Sequence, residues 1–490
     1  MSIVPSLRRS RGLRDLSVAA APVQGADITI GTNGERASAG SEPADSPARV
    51  APRRTIIRRR RSAGWAVLFL IVVFAPLAVF AAMRIPEPPV TRLSALCGVL
   101  AVSLLLCGVV LSARLRLITT VFGLARTVHM HRYLGAFALG LVIVHVGLIV
   151  VHDPGQVRLL VPWSGTAPSR AATAATLALL GLPVIHRLRS RHYEPWRWLH
   201  TGLAAAALVL AGLHVYWLNH LVADPTMRGW FLGVSCLTLL TLGYRWCWRP
   251  VRNFRGGYVV QEVRQESGSV ATVVVGSSRR VPSHSPALAF EPGQFVWLKT
   301  TPAPGAQEHP FSISSTAESA NLEFTIRRAG DFTNRLTRLP PGARLWVDGP
   351  HGTCTPTPDM IGIVGIAAGI GITPLMSILR TLADRHDTRP HRLLVAARTE
   401  EDLLFRSELA ALEDRLRLTV YYILSRPSPQ WTGRTGHIRF EVLDEFLPEP
   451  ARRAQWDYFI CGPPAMVCDT MTALQKLRIP PQRVHAEHFS

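Results

Sequence analysis

Cysteine is scarce in this chain of 490 residues, with seven in all. They are Cys97, Cys107, Cys236, Cys247, Cys354, Cys461 and Cys468, and no two form a CxxC pair or a ferredoxin-like spacing. That pattern excludes an iron–sulfur cluster and a cysteine-built zinc site. No disulfide framework is implied either, because four of the seven lie in apolar stretches, where Cys acts as a small hydrophobe. Acidic residues are also few: 33 Asp and Glu stand against 54 Lys and Arg, a formal net charge of +21. Such an excess points to nucleic acid or to a membrane surface. No aromatic-interleaved basic patch is present, and the Arg clusters sit beside apolar runs, as Arg58–Arg61 sits before Trp65. Membrane topology explains that placement, and no nucleic-acid partner is expected. The GxGxxG dinucleotide fingerprint is missing. So is a signal-peptide layout, since the first apolar run starts too late.

Apolar residues make up 48% of the chain and gather between about Trp65 and Trp248. The length suits about three ordinary domains, and the uneven apolar content divides it into a membrane half and a soluble half. Residues 1–63 are rich in Arg, Ser, Ala, Gly and Pro without apolar periodicity, and read as a disordered basic cytoplasmic tail. Residues 64–250 hold six apolar stretches, at roughly 64–83, 93–113, 131–151, 171–187, 197–218 and 229–248. Each is near the ~20 residues that span a bilayer as a helix. Arg114, Arg116, Arg126 and Arg132 mark the second connection or its edges; Arg187, Arg189, Arg191 and Arg197 mark the fourth likewise; Arg245, Arg249, Arg252 and Arg255 mark the end of the sixth span. Arg84, Arg92, Arg158 and Arg170 run against this bias, which on balance puts both termini in the cytoplasm of a multi-pass cell-membrane protein.

Histidines give the membrane half its chemistry. His131 and His145 lie in the third span and His200 and His214 in the fifth, each pair fourteen residues apart. Fourteen residues are almost four helical turns, so each pair points to nearly one face with its members about 21 Å apart. Side by side, two such helices place His131 opposite His200 and His145 opposite His214. Each facing pair can clamp a haem iron between two neutral imidazoles, which favours electron transfer over ligand binding. Ionisable residues inside a membrane are costly and mark function by default. His186 also precedes His200 by fourteen residues, but Pro195 and charged residues intervene. Gly135, Gly140, Gly202 and Gly212 leave room for a flat macrocycle or serve helix packing. Arg126, Arg132 and Arg197 can neutralise acidic groups near the inner pair or simply set topology.

The soluble half divides again. Residues 251–357 show short β-rich runs broken by Gly and Pro, the pattern of an antiparallel barrel. Residues 358–490 alternate apolar strands with helical segments, the pattern of a parallel α/β domain. In the first, the run HPFSIS offers His309, Pro310, Phe311, Ser312 and Ser314, an aromatic to pack on a flavin ring and hydroxyls to bond it. IRRAGDFT adds Arg327, Gly330 and Thr333, a Gly-led turn beside a cation that suits a pyrophosphate. In the second, AAGIGITP supplies Gly369, Gly371, Thr373 and Pro374, where backbone can approach phosphate closely. ICGPPAM supplies Cys461, Gly462 and Pro463 at a strand end, the place where ligands bind in open α/β sheets. Arg398, Ser425 and Arg426, with Arg434 nearby, follow strands and can hold a 2′-phosphate, favouring NADPH over NADH.

Taken together, HRYLG at His131, WRWLH ending at His200, HPFSIS, IRRAGDFT, GPHG, GIGITP and CGPPAM resemble the ferric reductase and NADPH oxidase superfamily over about residues 64–490. The resemblance implies a six-helix transmembrane bundle, then an FAD-binding β-barrel and an NADPH-binding α/β domain of ferredoxin–NADP reductase type. It implies two haem b groups, the inner held by His131 and His200, the outer by His145 and His214. FAD would be bound by the HPFSIS and IRRAGDFT residues, and the nicotinamide site lined by Gly369, Gly371, Thr373 and Cys461. Phe489 matches the family's near-terminal aromatic over the flavin, and Glu487 fits the same pattern. Ser490 is one residue beyond it, and the basic tail has no counterpart. Implied is an oxidoreductase carrying electrons from cytoplasmic NADPH to an outer acceptor: O2 giving superoxide, a ferric chelate, a quinone or an extracytoplasmic protein. A haem-free scaffold is the opposing expectation. The protein partner and the tail's role are not legible.

Overall fold

The computed structural model describes residues 53–83, 88–113, 115–161, 165–189, 193–219, 221–249, 257–278, 288–303 and 306–488. Most of the expected tail, together with Phe489, therefore lies outside the described residues. The first half is helical: α1 (Arg53–Ala82), α2 (Pro89–Ser112), α3 (Arg116–Phe122), α4 (Leu124–His152), α5 (Ala167–Ile185), α6 (Tyr193–Leu218) and α7 (Pro225–Gly243). Helix starts follow local chemistry. Proline at the first turn costs nothing there, and α2, α5 and α7 each use one. Asp224 caps α7 by accepting from the Met227 N–H at 2.9 Å. Gly123, at φ 79°, separates α3 from α4.

Among the described residues, five helices (α1, α2, α4, α5 and α6) are long and apolar enough to cross a membrane. Six were expected. The sixth stretch falls on α7, only 19 residues long, where Pro225, Arg228 and several Gly, Ser and Thr dilute the apolar run. A π-helical turn, Tyr244–Trp248, continues it. Still, α7 packs on α1 and α2, and Phe80, Val99, Leu221 and Met227 form a small buried cluster there. Two further features escaped the sequence. The Arg-rich second connection folds into α3, and α6 starts at Tyr193, taking Pro195 into its first turn.

The soluble half holds β1 (Tyr258–Ser267), β2 (Val270–Ser277), β3 (Phe295–Lys299), β4 (His309–Ser312), β5 (Leu322–Arg327), α8 (Asp331–Leu336) and β6 (Arg344–His351). These strands form an antiparallel sheet in the order β4-β3-β6-β1-β2-β5. Its core is Val260, Val273, Val275, Leu298, Ile313, Phe324 and neighbours. An antiparallel barrel was expected. The edge strands β4 and β5 share no ladder among the described residues. They meet where the Ser314 N–H, just past β4, donates to the Glu323 carbonyl at 2.8 Å.

There follow β7 (Ile363–Ala368), α9 (Thr373–Asp384), β8 (Pro390–Ala397), α10 (Arg406–Arg415), β9 (Arg417–Leu424), β10 (Arg434–Thr435), α11 (Phe440–Phe446), β11 (Asp457–Gly462), α12 (Pro464–Lys476) and β12 (Val484–His488). Their sheet is parallel, ordered β10-β9-β8-β7-β11-β12, with an apolar core on each face. The strand order reverses between β7 and β11. That switch point opens a crevice at the carboxyl ends, the usual ligand position in such sheets.

Candidate functional site

The helix pair α4 and α6 brings the four membrane histidines together two by two. The rings of His131 and His200 stand 6.2 Å apart centre to centre, with their planes at 70°. Those of His145 and His214 stand 6.5 Å apart at 71°. Backbone carbonyls hold three of the rings. His131 Nδ1 lies 3.0 Å from the Gly108 carbonyl, His145 Nδ1 2.8 Å from that of Ser94, and His214 Nδ1 2.9 Å from that of Pro168. A carbonyl only accepts, so each Nδ1 carries the proton and each Nε2 keeps the lone pair with which an imidazole ligates a metal. His200 instead stacks on Trp196, 5.3 Å away at 28°. His186 lies in a separate turn, His186–Leu188, against Trp196.

Two glycines that sequence reasoning passed over let α2 lie against these rings. A Cβ on Gly98 would sit 3.3 Å from His145 Nδ1, and one on Gly108 3.6 Å from His131 Nδ1. By contrast Gly135, Gly140, Gly202 and Gly212 border open space. Arg126 and Arg132 are exposed, whereas Arg197 pairs with Glu194 at 2.8 Å.

In the antiparallel sheet, the His309 ring packs on Phe332 at 4.4 Å and reaches Tyr193 of α6 at 6.5 Å, while Phe311 stacks on Phe332 at 6.2 Å. Pro310 lies between them on β4, opposite Trp297. The Ser312 and Ser315 hydroxyls are buried without a protein partner, and such orphaned groups call for a ligand or water. Ser314 is already used: its Oγ donates to the Glu323 carbonyl at 3.0 Å. Thr333 is likewise occupied. It accepts from the Ala329 and Gly330 N–H groups and donates to the Gly330 carbonyl, closing the turn before α8.

The nucleotide turns converge on the crevice. Arg327 reaches across from β5, its Nη2 2.9 Å from where a Cβ on Gly369 would stand, and Gly369 has φ +54°. A Cβ on Gly371 would lie 2.3 Å from the Cys461 carbonyl oxygen, so only glycine lets the two turns close on each other. One on Gly462 would meet Met466 at 2.8 Å. Thr373 and Pro374 are buried at the start of α9, with Thr373 Oγ1 donating to the Ile370 carbonyl at 3.0 Å. Pro463 is exposed before α12.

Cys461 and Glu487 are register neighbours on β11 and β12. Burial pushes the Glu487 carboxyl up to about 8. Burial and then the Glu487 charge push the Cys461 thiol up as well. Both are therefore neutral near pH 7. At the ends of β8 and β9, Arg398 and Arg426 are exposed and tied backbone to backbone at 2.8 Å, with Ser425 bonded to Ala397 beside them. Arg434 is drawn away to Glu445.

Domain contacts went unread in the sequence. Arg380 of α9 donates to the Ser314 carbonyl at 2.6 Å and pairs with Glu323 and Glu408, joining the two soluble sheets. Arg249, past α7, is buried against Asp348 of β6, and Lys299 pairs with Glu308 at 3.3 Å beside them. Burial alone would raise the Asp348 carboxyl, but the His351 hydrogen bond and the Arg249 charge outweigh it and hold it well below the usual carboxylate range.

Comparison with known proteins follows the same division. Residues 97–211 match the family described as ferric reductase like transmembrane component, 278–354 an FAD-binding domain and 366–472 an oxidoreductase NAD-binding domain. Ferredoxin–NADP reductase B of Sorangium cellulosum is 34% identical over 222 residues, covering 41% of this chain and 86% of that protein. NADH-cytochrome b5 reductase 1 of Aspergillus terreus is 34% identical over 177 residues, 34% of this chain. The chain spans 58% of that fungal protein's length. A cytochrome P450 reductase from Amycolatopsis is 29% identical at a TM-score of 0.42, covering 48% of this chain and 69% of that one. The chain has the architecture of the ferric reductase and NADPH oxidase-like superfamily, a ferric-reductase-like transmembrane component followed by FAD-binding and oxidoreductase NAD-binding domains.

Proposed function

We propose that this chain takes electrons from cytoplasmic NADPH and delivers them to O2 at the outer face of the cell membrane, giving superoxide, with FAD and two haem b groups resident. The observation that carries the reading is the pair of facing histidine couples, 6.2 and 6.5 Å apart. A bond from a metal to an imidazole nitrogen is about 2 Å, and with roughly 1 Å more to each ring centre, two imidazoles on one metal stand about 6 Å apart. The residues thus fit the group: His131 with His200 at one level, His145 with His214 at the other. For FAD the fit rests on the orphaned Ser312 and Ser315 hydroxyls beside Phe311. For the nucleotide it rests on the Gly369–Gly371 turn. When bound, FAD accepts hydride and releases single electrons, and haem b passes one electron at a time.

The chain's own residues place and tune these groups. Arg327 sets its charge beside the glycine turn, where phosphate oxygens need it. Arg398 and Arg426 offer two exposed cations where a 2′-phosphate would lie, which supports NADPH over NADH. Neutral Cys461 and Glu487 keep charge away from the nicotinamide. The Arg-rich connections and the packing of α7 on α1 and α2 support six crossings with the reductase half in the cytoplasm. A second reading, ferric chelate as acceptor, is favoured by the family description of residues 97–211.

The test is anaerobic reduction of the purified, FAD-loaded protein by NADPH, followed by air or ferric citrate. We expect rapid haem reoxidation with superoxide in air. Slow reoxidation in air and fast reoxidation by ferric citrate would transfer the assignment to ferric reductase. His145→Leu should leave one haem per chain instead of two; two haems in that variant would defeat the ligand assignment.

A further inference from the structure

Ser94 and Thr173 differ from the other hydroxyls described on the membrane helices in bonding to a separate element, Thr173 to the Leu159 carbonyl at 2.9 Å and Ser94 to a histidine. Ser and Thr in such helices usually bond back to their own backbone. Ser103, Thr127, Thr176, Thr201, Thr238 and Thr241 all do so here, each to the carbonyl four residues earlier. Ser94 does not. It is 1% exposed on α2, and its hydroxyl crosses to α4. There Oγ lies 2.9 Å from His145 Nδ1 and 2.9 Å from the His145 carbonyl, while the Ser94 carbonyl lies 2.8 Å from the same Nδ1.

These three contacts admit one arrangement of protons. Both carbonyls are acceptors only. The Ser94 carbonyl therefore requires a proton on Nδ1, and the His145 carbonyl requires the serine proton. The Oγ lone pairs are then left facing Nδ1–H, which is shared between two acceptors of one residue. The inner level lacks this device. Fourteen residues along α2, opposite His131, stands Gly108, which offers a carbonyl and no side chain.

We propose that Ser94 is a positioning residue for the outer haem, completing a closed hydrogen-bond ring on His145 that makes this ligand more electron-rich and the outer haem more reducing. The inference rests on the haem reading above and deepens it. Hydrogen bonds from a ligating histidine to a second acceptor raise its basicity. A more basic axial ligand favours the oxidised iron and lowers its reduction potential. A strongly reducing outer centre suits an acceptor that takes its first electron reluctantly, as O2 does.

The experiment is an optical redox titration of the full-length protein and its Ser94→Ala, Ser94→Thr and Ser94→Cys variants, after haem has been counted by pyridine haemochrome. Fewer than two haems in the unaltered protein would defeat the haem reading itself, independently of Ser94. With two haems present, Ser94→Ala should raise one midpoint and leave the other in place, and Ser94→Thr should restore it. Ser94→Cys should fall between, its thiol being a weak partner, and this comparison stands even where the alanine variant loses haem. Midpoints equal across all variants, or an equal shift of both haems, would overturn the proposal.

Discussion

Gly371 shows how one missing side chain can hold a site together. A methyl group added there would meet the backbone of Cys461 and Gly462, 2.3 Å from the Cys461 carbonyl oxygen. Backbone cannot yield as a flexible side chain does. Gly371→Ala should therefore force the two turns apart, at about 1–3 kcal/mol. Thermal unfolding should show the loss, and calorimetric titration should show NADPH binding weakened at least tenfold; unchanged affinity would argue that the turns do not shape the nucleotide site. The turn was legible in the sequence because glycine at that spacing has few other reasons to exist. The histidine couples were legible for a similar reason, the equal spacing on two spans. What holds those histidines was not. Gly108 and Pro168 act through their carbonyls, which every residue possesses, and Ser94 looks like any membrane serine until α2 is laid on α4.

The elements repeat that contrast. Long apolar runs announced α1, α2, α4, α5 and α6, and β-branched runs announced the strands. The sixth span and the closure of the sheet were least legible where composition is mixed, in α7 and at the edge between β4 and β5. Contacts between elements were invisible, as Arg249 illustrates. Its place at the end of the last apolar stretch read as a topology signal, yet the guanidinium is 6% exposed and bound to Asp348 on β6. Removing one member of a buried pair strands the other, at about 3–5 kcal/mol. Arg249→Met should thus loosen the membrane helices from the FAD-binding sheet. Hydrogen exchange should quicken in β6 and in the first turn of α6, and adding Asp348→Asn should recover part of the protection. No change in exchange would mean that other contacts suffice.

At the scale of the whole molecule, the number of crossings decides on which side NADPH must be. Five crossings would separate the start of α1 from the reductase half, and six would return them to one side. Packing of α7 against α1 and α2 supports six. Gly64→Cys, at a position with open space around it, and the exposed native Cys468 can report this once the other cysteines are replaced. A membrane-impermeant maleimide should reach both only from the cytoplasmic side; labelling from opposite sides would make α7 a surface helix. The fourteen-residue interval between the histidine levels has an electrical meaning as well. At about 1.5 Å per residue the levels lie about 21 Å apart, some two-thirds of a hydrocarbon core about 30 Å thick. A full crossing is worth about 2.3 kcal/mol per 100 mV, so a transfer between the levels is worth about 1.6. On the function proposed above, an interior-negative voltage would drive electrons outward, so each turnover would run with the membrane potential and discharge it. The protein would then be a current source whose rate follows the energised state of the cell.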